Sequence, residues 1–117
     1  MGRLMYGLGS GNVILNRHDG VIRALQHSIL KALAEGRSVF LRSGGTSDSG
    51  EATHSVLWIP PTAQLAFIYE TDVHPKLDDR LAGLFNEAIR ESGGIELPDV
   101  RHEGDHDDSD LVATRTP

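Results

Sequence analysis

The stretch HSVLWIPPTAQLAFIYE, residues 54–70, constrains most strongly how this chain folds. It holds two runs of β-forming residues, 54–59 and 64–70, separated by Pro60 and Pro61. Since proline has no N–H for a strand ladder, we predict two strands joined by a proline turn at a hairpin tip. Apolar residues fill both parities of these runs: Val56, Trp58, Leu65, Phe67 and Tyr69 on one, and Leu57, Ile59, Ala66 and Ile68 on the other. This pattern is typical of a sheet covered on both faces.

Helices of the same chain can cover one face of the sheet. The second apolar face then indicates a partner. An exposed apolar patch of several hundred Å² normally marks an interface. We therefore expect a face through which the protein self-associates as a homo-oligomer, formed by Leu57, Ile59, Ala66 and Ile68.

Two amphipathic segments supply those helices. Apolar residues recur every three or four positions in helix 1, predicted at about 20–35 and ended by Gly36. Helix 2 is predicted to begin at Pro75, capped by His74 or Asp72, and to end at Gly93–Gly94. The buried stripes are Ile22, Leu25, Ile29, Ala32 and Leu33 in helix 1, and Leu77, Leu81, Leu84, Phe85 and Ala88 in helix 2.

Further strands are expected at 3–6, 12–16 and 38–43, with a brief one at 94–97. The fold class is therefore α+β: a mostly antiparallel sheet in the order β-β-α-β-β-β-α, with two helices packed on one face. We expect residues 1–98 to form a single domain. Residues 99–117 are polar and acidic, and we expect a disordered tail there.

Composition excludes several kinds of site. The 117 residues include no cysteine, which removes disulfides, thiol nucleophiles and cysteine-ligated metals. The sequence shows no signal-peptide pattern and no apolar run of membrane-spanning length, so we expect a cytoplasmic protein that does not enter membranes. The net charge of −6, with two lysines, does not fit a sequence-independent nucleic-acid binder.

Two glycine-rich stretches resemble phosphate loops but lack their key features. Gly7, Gly9 and Gly11 precede a strand rather than a helix N-terminus, so we interpret 7–11 as a hairpin turn. In GTSDSGEA, residues 45–52, Glu51 stands where a P-loop needs lysine, which indicates a surface loop. No serine lies in G-x-S-x-G or another positioned context. With neither a phosphate loop nor a positioned nucleophile, we expect no cofactor and no catalytic residue.

Two charged groups remain as candidate sites. Arg23, His27 and Lys31 repeat every four residues on helix 1, with Arg17 and Arg37 near its ends. We interpret them as a solvated face; the open alternative is a docking surface for an acidic partner, the protein's own tail or nucleic acid. His102 and His106 have metal-ligand spacing, but Gly104 opposes a helix there, so no metal site is predicted.

Four phrases resemble a small actinobacterial family of unknown function, about 100 residues long. They are MGRLMYG, LAEGRSVFL, SVLWIPPTAQLAFIY and FNEAIRESGGIELP, and together they span roughly residues 1–98. Members of that family often carry the name ATP-dependent DNA ligase. An adenylating ligase needs a lysine in K-x-D-G, whereas Lys31 lies in KALA and Lys76 in KLDD. No ligase motif therefore carries over to this chain.

Two hypotheses follow from the sequence. The first is a non-enzymatic protein-interaction module that self-associates through its apolar sheet face. The alternative is an accessory protein of DNA metabolism that contacts nucleic acid through the basic face of helix 1.

Overall fold

The computed structural model describes residues 1–7 and 13–98. These residues form six strands and two helices, and they confirm the α+β class and the predicted element order, including the brief strand after the second helix. The elements are β1 (Gly2–Tyr6), β2 (Val13–Arg17), α1 (Asp19–Ala34), β3 (Val39–Thr46), β4 (Ala52–Ile59), β5 (Leu65–Tyr69), α2 (Asp79–Ser92) and β6 (Gly94–Leu97). The predicted tail, 99–117, lies outside the described residues.

The described strands form two three-stranded sheets rather than one. The first has the order β2-β1-β5 and is antiparallel throughout. The second has the order β4-β3-β6, in which β4 is antiparallel and β6 parallel to β3. As predicted, β1 and β2 pair as neighbours in the chain, although residues 8–12 between them lie outside the described residues.

The predicted hairpin around Pro60 and Pro61 is wrong. β4 and β5 belong to different sheets, because β4 pairs along its whole length with β3, and β5 pairs with β1. The true hairpin is β3–β4, whose turn lies in the glycine-rich stretch predicted as a surface loop. The Ser47 N–H donates to the Glu51 carbonyl at 2.8 Å, and Gly50 adopts a φ of 87°, which glycine accepts without strain.

Both helices turn their apolar stripes toward one core. α1 lies against β1, β5 and β2 of the first sheet, against β3 of the second and beside α2, while α2 lies against β6. The predicted positions Ile22, Leu25 and Ile29 of α1 are fully buried, as is Phe85 of α2. The buried Ser28 hydroxyl donates to the Ala82 carbonyl at 3.2 Å and so links the two helices.

The predicted start of α2 at Pro75 is wrong, since the helix begins four residues later. Asp78 is the N-cap, and its carboxylate accepts the Leu81 N–H at 3.1 Å. An aspartate at this position satisfies an orphan helix donor and places negative charge at the positive end of the helix. That contact favours Asp78 over His74 or Asp72 as the cap.

β6 approaches β3 so closely that Gly94 has no room for a side chain. A Cβ at Gly94 would lie 2.6 Å from the Phe40 Cβ and nearer still to the Phe40 carbonyl oxygen. The Phe40 N–H also donates to the Gly93 carbonyl at 3.0 Å. The junction of α2 and β6 is therefore fixed against the start of β3 by backbone contact.

Replacing Gly94 by alanine is expected to lower the free energy of unfolding by about 1–3 kcal/mol, because the backbone of Phe40 must move. Gly83→Ala is the matched control: Gly83 is exposed within α2 with open space around it. The control should raise stability by up to about 1 kcal/mol, the helix preference for alanine. Urea denaturation measures the free energy of unfolding of both variants. Equal changes in the two would contradict the close packing of Gly94 against Phe40.

The N-cap contact gives a second expectation. Asp78→Ala should lower the free energy of unfolding by about 1 kcal/mol, whereas Asp79→Ala, one residue inside the helix, should cost less. Asp78→Asn keeps a side-chain acceptor, so it should preserve most of the stability that Asp78→Ala loses. Urea denaturation of the three variants tests the order, and a larger loss for Asp79→Ala would reject Asp78 as the cap.

Candidate functional site

The outer face of the second sheet carries an uncovered apolar group. Phe40 pairs across the ladder with Trp58, and Arg42 pairs with Val56, so all four side chains lie on the same face. Val56 is 56% exposed and Trp58 is 52% exposed. The Phe40 and Trp58 rings meet edge to face, with centroids 4.5 Å apart and planes at 77°. Phe40, Val56 and Trp58 are called the outer apolar face from here on.

The opposite side of the same strands explains why this face is uncovered. Leu41 and Ile59, at the other parity, are 3% and 0% exposed and belong to the core. β6 adds Ile95 and Leu97 to that inner side. Because α2 packs on β6 from within, no described helix covers Trp58.

The four residues predicted for self-association do not form one surface. Ile59 is fully buried, and Leu57 is half-buried on the inner face of the second sheet. Ala66 and Ile68 lie in the first sheet, where they pair with Met5 and Arg3 of β1. The alternation in the sequence shows that both parities of β4 are apolar, but it does not show which parity the helices cover. The residues predicted from β4, Leu57 and Ile59, are those of the inner parity.

β4 adds an open strand edge to the outer apolar face. Within the described part of the chain, β4 has a strand neighbour on one side only, namely β3. β4 is eight residues long, and ATHSVLWI contains no proline, lysine, arginine or carboxylate. Proteins usually protect long edges with charge, proline or short length. An unprotected edge beside exposed Val56 and Trp58 is suited to pairing with another strand.

The predicted basic face of helix 1 is only partly assembled. Arg23, His27 and Lys31 lie on α1 as expected, the first two half-buried. Arg17 instead belongs to β2, where it is 6% exposed and donates to the carbonyls of Asn16, at 2.8 Å, and Pro98, at 3.0 Å.

Glu35 balances the positive charge at the C-terminal end of α1. Its carboxylate lies 3.6 Å from the Lys31 ammonium and 3.5 Å from the Arg37 guanidinium. These exposed pairs are weak individually, at about 0–1 kcal/mol. Arg90, across the cleft between α1 and α2, is paired in the same way with Glu87. Carboxylates therefore accompany the cations of this cleft, which is about 240 Å³ in volume.

A polar group that the sequence did not indicate surrounds the end of β5. The Tyr69 hydroxyl donates to Gln26 of α1 at 2.5 Å, and the His74 ring lies edge-on to the Tyr69 ring at 5.6 Å. Burial raises the pKa of Tyr69; Arg23 opposes the shift and Asp19 adds to it. Tyr69 thus stays a hydrogen-bond donor that joins β5 to α1. Its position in an apolar run gave no sign of this role.

Two other expectations concern metals and membranes. Among residues 1–7 and 13–98, no three His, Cys, Asp or Glu side chains come together in a way that suits a metal ion. The tail candidates His102 and His106 lie outside those ranges. Neither described helix has the length and apolar character needed to cross a bilayer.

Comparison with known proteins gives a family and no activity. Neither a curated protein nor a solved structure matches the chain. One family model does match, and it spans residues 1–99, the length expected from the resemblance seen in the sequence. The chain therefore belongs to the family described as Domain of unknown function (DUF7882).

Proposed function

We propose that this protein is an interaction module that self-associates through β4 and the outer apolar face. The observation that supports this is the exposure of Trp58, more than half of whose surface lies open on a sheet face. A tryptophan commonly buries ~150–250 Å² in a core or interface. About 100 Å² of Trp58 is then exposed, and at ~25 cal/mol per Å² its burial contributes at most roughly 2.5 kcal/mol.

A second copy is the partner that β4 fits best. Identical strands pair antiparallel across a two-fold axis, and the resulting contact is isologous and closed. β4 brings no charged side chain to such a pairing, so two copies of a chain with net charge −6 meet without like charges at the seam.

The positions of Val56 and Trp58 suggest the register. With Leu57 on the two-fold axis, Trp58 of each copy lies opposite Val56 of the other. Such directly opposed aromatic and β-branched pairs stabilise antiparallel sheets by about 0.2–1 kcal/mol each. The second sheets of the two copies would then join into one six-stranded sheet, and β4 would no longer be an open edge.

Val56→Glu is expected to weaken self-association at least tenfold, because each copy would place a carboxylate against Trp58 of the other. Val73→Glu is the matched control: Val73 is 69% exposed and lies outside β4, so the same change there should leave the dissociation constant unaltered. Sedimentation equilibrium over about 1–200 µM gives the constant for each protein. Urea denaturation of both variants verifies that they stay folded.

Trp58 provides an independent readout, since it is the single tryptophan of the chain. Its fluorescence should shift to shorter wavelength as the protein is concentrated, with the same midpoint as sedimentation. An unmodified protein that stays monomeric at 200 µM, with unshifted Trp58 emission, would refute the proposed function.

A further inference from the structure

The contact along β4 is too small to hold two copies together by itself. In the proposed register, with Leu57 on the two-fold axis, residues 55–59 of one copy pair with the same residues of the other. This stretch spans about 17 Å at ~3.4 Å per residue, and a sheet is about 10 Å thick. The pairing therefore buries roughly 170 Å² on each copy and about 340 Å² in all, whereas a stable interface needs at least about 1,000 Å².

Pairing along β4 also leaves the outer apolar face open. The new hydrogen bonds lie in the plane of the sheet, whereas the side chains of Val56 and Trp58 point out of that plane. The joined sheet therefore carries two copies of the outer apolar face, side by side around the two-fold axis. Both copies remain open to solvent above the sheet.

This side of the joined sheet is large enough for a second contact. Six strands spaced ~4.8 Å apart are about 29 Å wide, and the paired stretch is about 17 Å long. Two such surfaces stacked face to face bury roughly 1,000 Å² in total, which reaches the size of a specific interface. Stacked sheets lie about 10 Å apart, a separation that interdigitating side chains fill.

The charges on this side of the second sheet suit a second copy of the same surface. Glu96 of β6 pairs in register with Arg42 of β3, so both side chains lie on the side that carries the outer apolar face. Among the strand residues that the structure describes on that side, these two carry the formal charges at pH 7. The surface is therefore neutral, although the chain has a net charge of −6. Stacking two such surfaces leaves an opposite charge beside each ion, which burial requires.

We propose that two β4-paired dimers stack through this side of the second sheet and form a tetramer. The partner of the outer apolar face is thus a second dimer of the same chain. Both contacts are isologous, and their axes combine into the closed D2 symmetry that is common among tetramers. The Trp58 and Val56 side chains of all four copies surround the point where the axes cross. This inference rests on the proposed function, because the full surface forms only when β4 pairs.

Arg42→Glu tests the stacking separately from the pairing of β4. The variant places a second carboxylate beside Glu96 on the surface that the stack buries, so the association of two dimers should weaken at least tenfold. Arg42 lies on β3, one strand away from the paired edge, and the monomer–dimer constant should stay close to that of the control.

Lys76→Glu is the matched control. Lys76 is exposed, lies outside the strands and brings the same change in net charge, so the dimer–tetramer constant should stay unaltered. Sedimentation equilibrium over about 1–200 µM resolves both association steps for each protein. Urea denaturation verifies that both variants stay folded.

A charge exchange gives an independent check. The double variant Arg42→Glu/Glu96→Arg again places opposite charges side by side, and it should recover most of the tetramer that Arg42→Glu loses. A double variant that is folded by urea denaturation but recovers no tetramer would overturn the proposal, since like charge would then not explain the loss.

The species present distinguish a failure of this inference from a failure of the proposed function. Unaltered protein that stops at the dimer at 200 µM would overturn the stacking, leave the pairing of β4 in place and leave the outer apolar face to a different protein. Monomers at 200 µM would overturn both. Tetramers that Arg42→Glu and Lys76→Glu weaken equally would show that another surface joins the dimers, and would reject this one.

Discussion

The fold depends on the parallel pairing of β6 with β3. This contact requires glycine at position 94, because the backbone of Phe40 occupies the space of a side chain. It carries α2 to the second sheet, and α2 in turn packs on α1, which lies mainly on the first sheet and also contacts β3. The two sheets thus share one core through a pair of helices. Loss of the β3–β6 contact would separate α2 and its apolar stripe from the second sheet.

The same arrangement determines which side of β4 stays exposed. The inner parity, where Ile59 and Leu41 are buried, faces the core, with α1 against β3 and α2 against β6, and Val56 and Trp58 are left on the outside. Phe40 belongs to both features: its backbone lies against Gly94, and its ring contacts Trp58. Gly94 on β6 and Trp58 on β4 therefore flank Phe40 in one sheet.

The sequence predicted local structure well and long-range pairing poorly. Helix α1 and the order of the strands follow from periodicity, which depends on residues a few positions apart. The partner of β5 does not follow from periodicity. β1 lies more than fifty residues earlier in the chain, and its backbone can form the same ladder hydrogen bonds with β5 as the backbone of the adjacent β4. Pro75 was a local signal too, and it was outweighed by the side-chain contact of Asp78.

The candidate site shows the same limit. Both parities of β4 are apolar in the sequence, and only the side on which the helices pack against the second sheet distinguishes Ile59 from Trp58. The spacing of the cations placed Arg23, His27 and Lys31 on one helix. It gave no indication that Arg17 is buried in a strand, or that Glu35 lies beside both Lys31 and Arg37.

The two sheets also share a plan that bears on the order in which they assemble. In each, the middle strand pairs with the next strand of the chain, β1 with β2 and β3 with β4, and then with a strand that arrives much later. Local hairpins close within microseconds, whereas distant pairings wait for the chain to search. During synthesis β1 and β3 therefore each spend a period with one edge open, until residues 65–69 and 94–97 have emerged. Both sheets are completed by strands that follow the two hairpins in the chain, so a nascent chain that has emerged only as far as residue 64 holds two hairpins and no finished core.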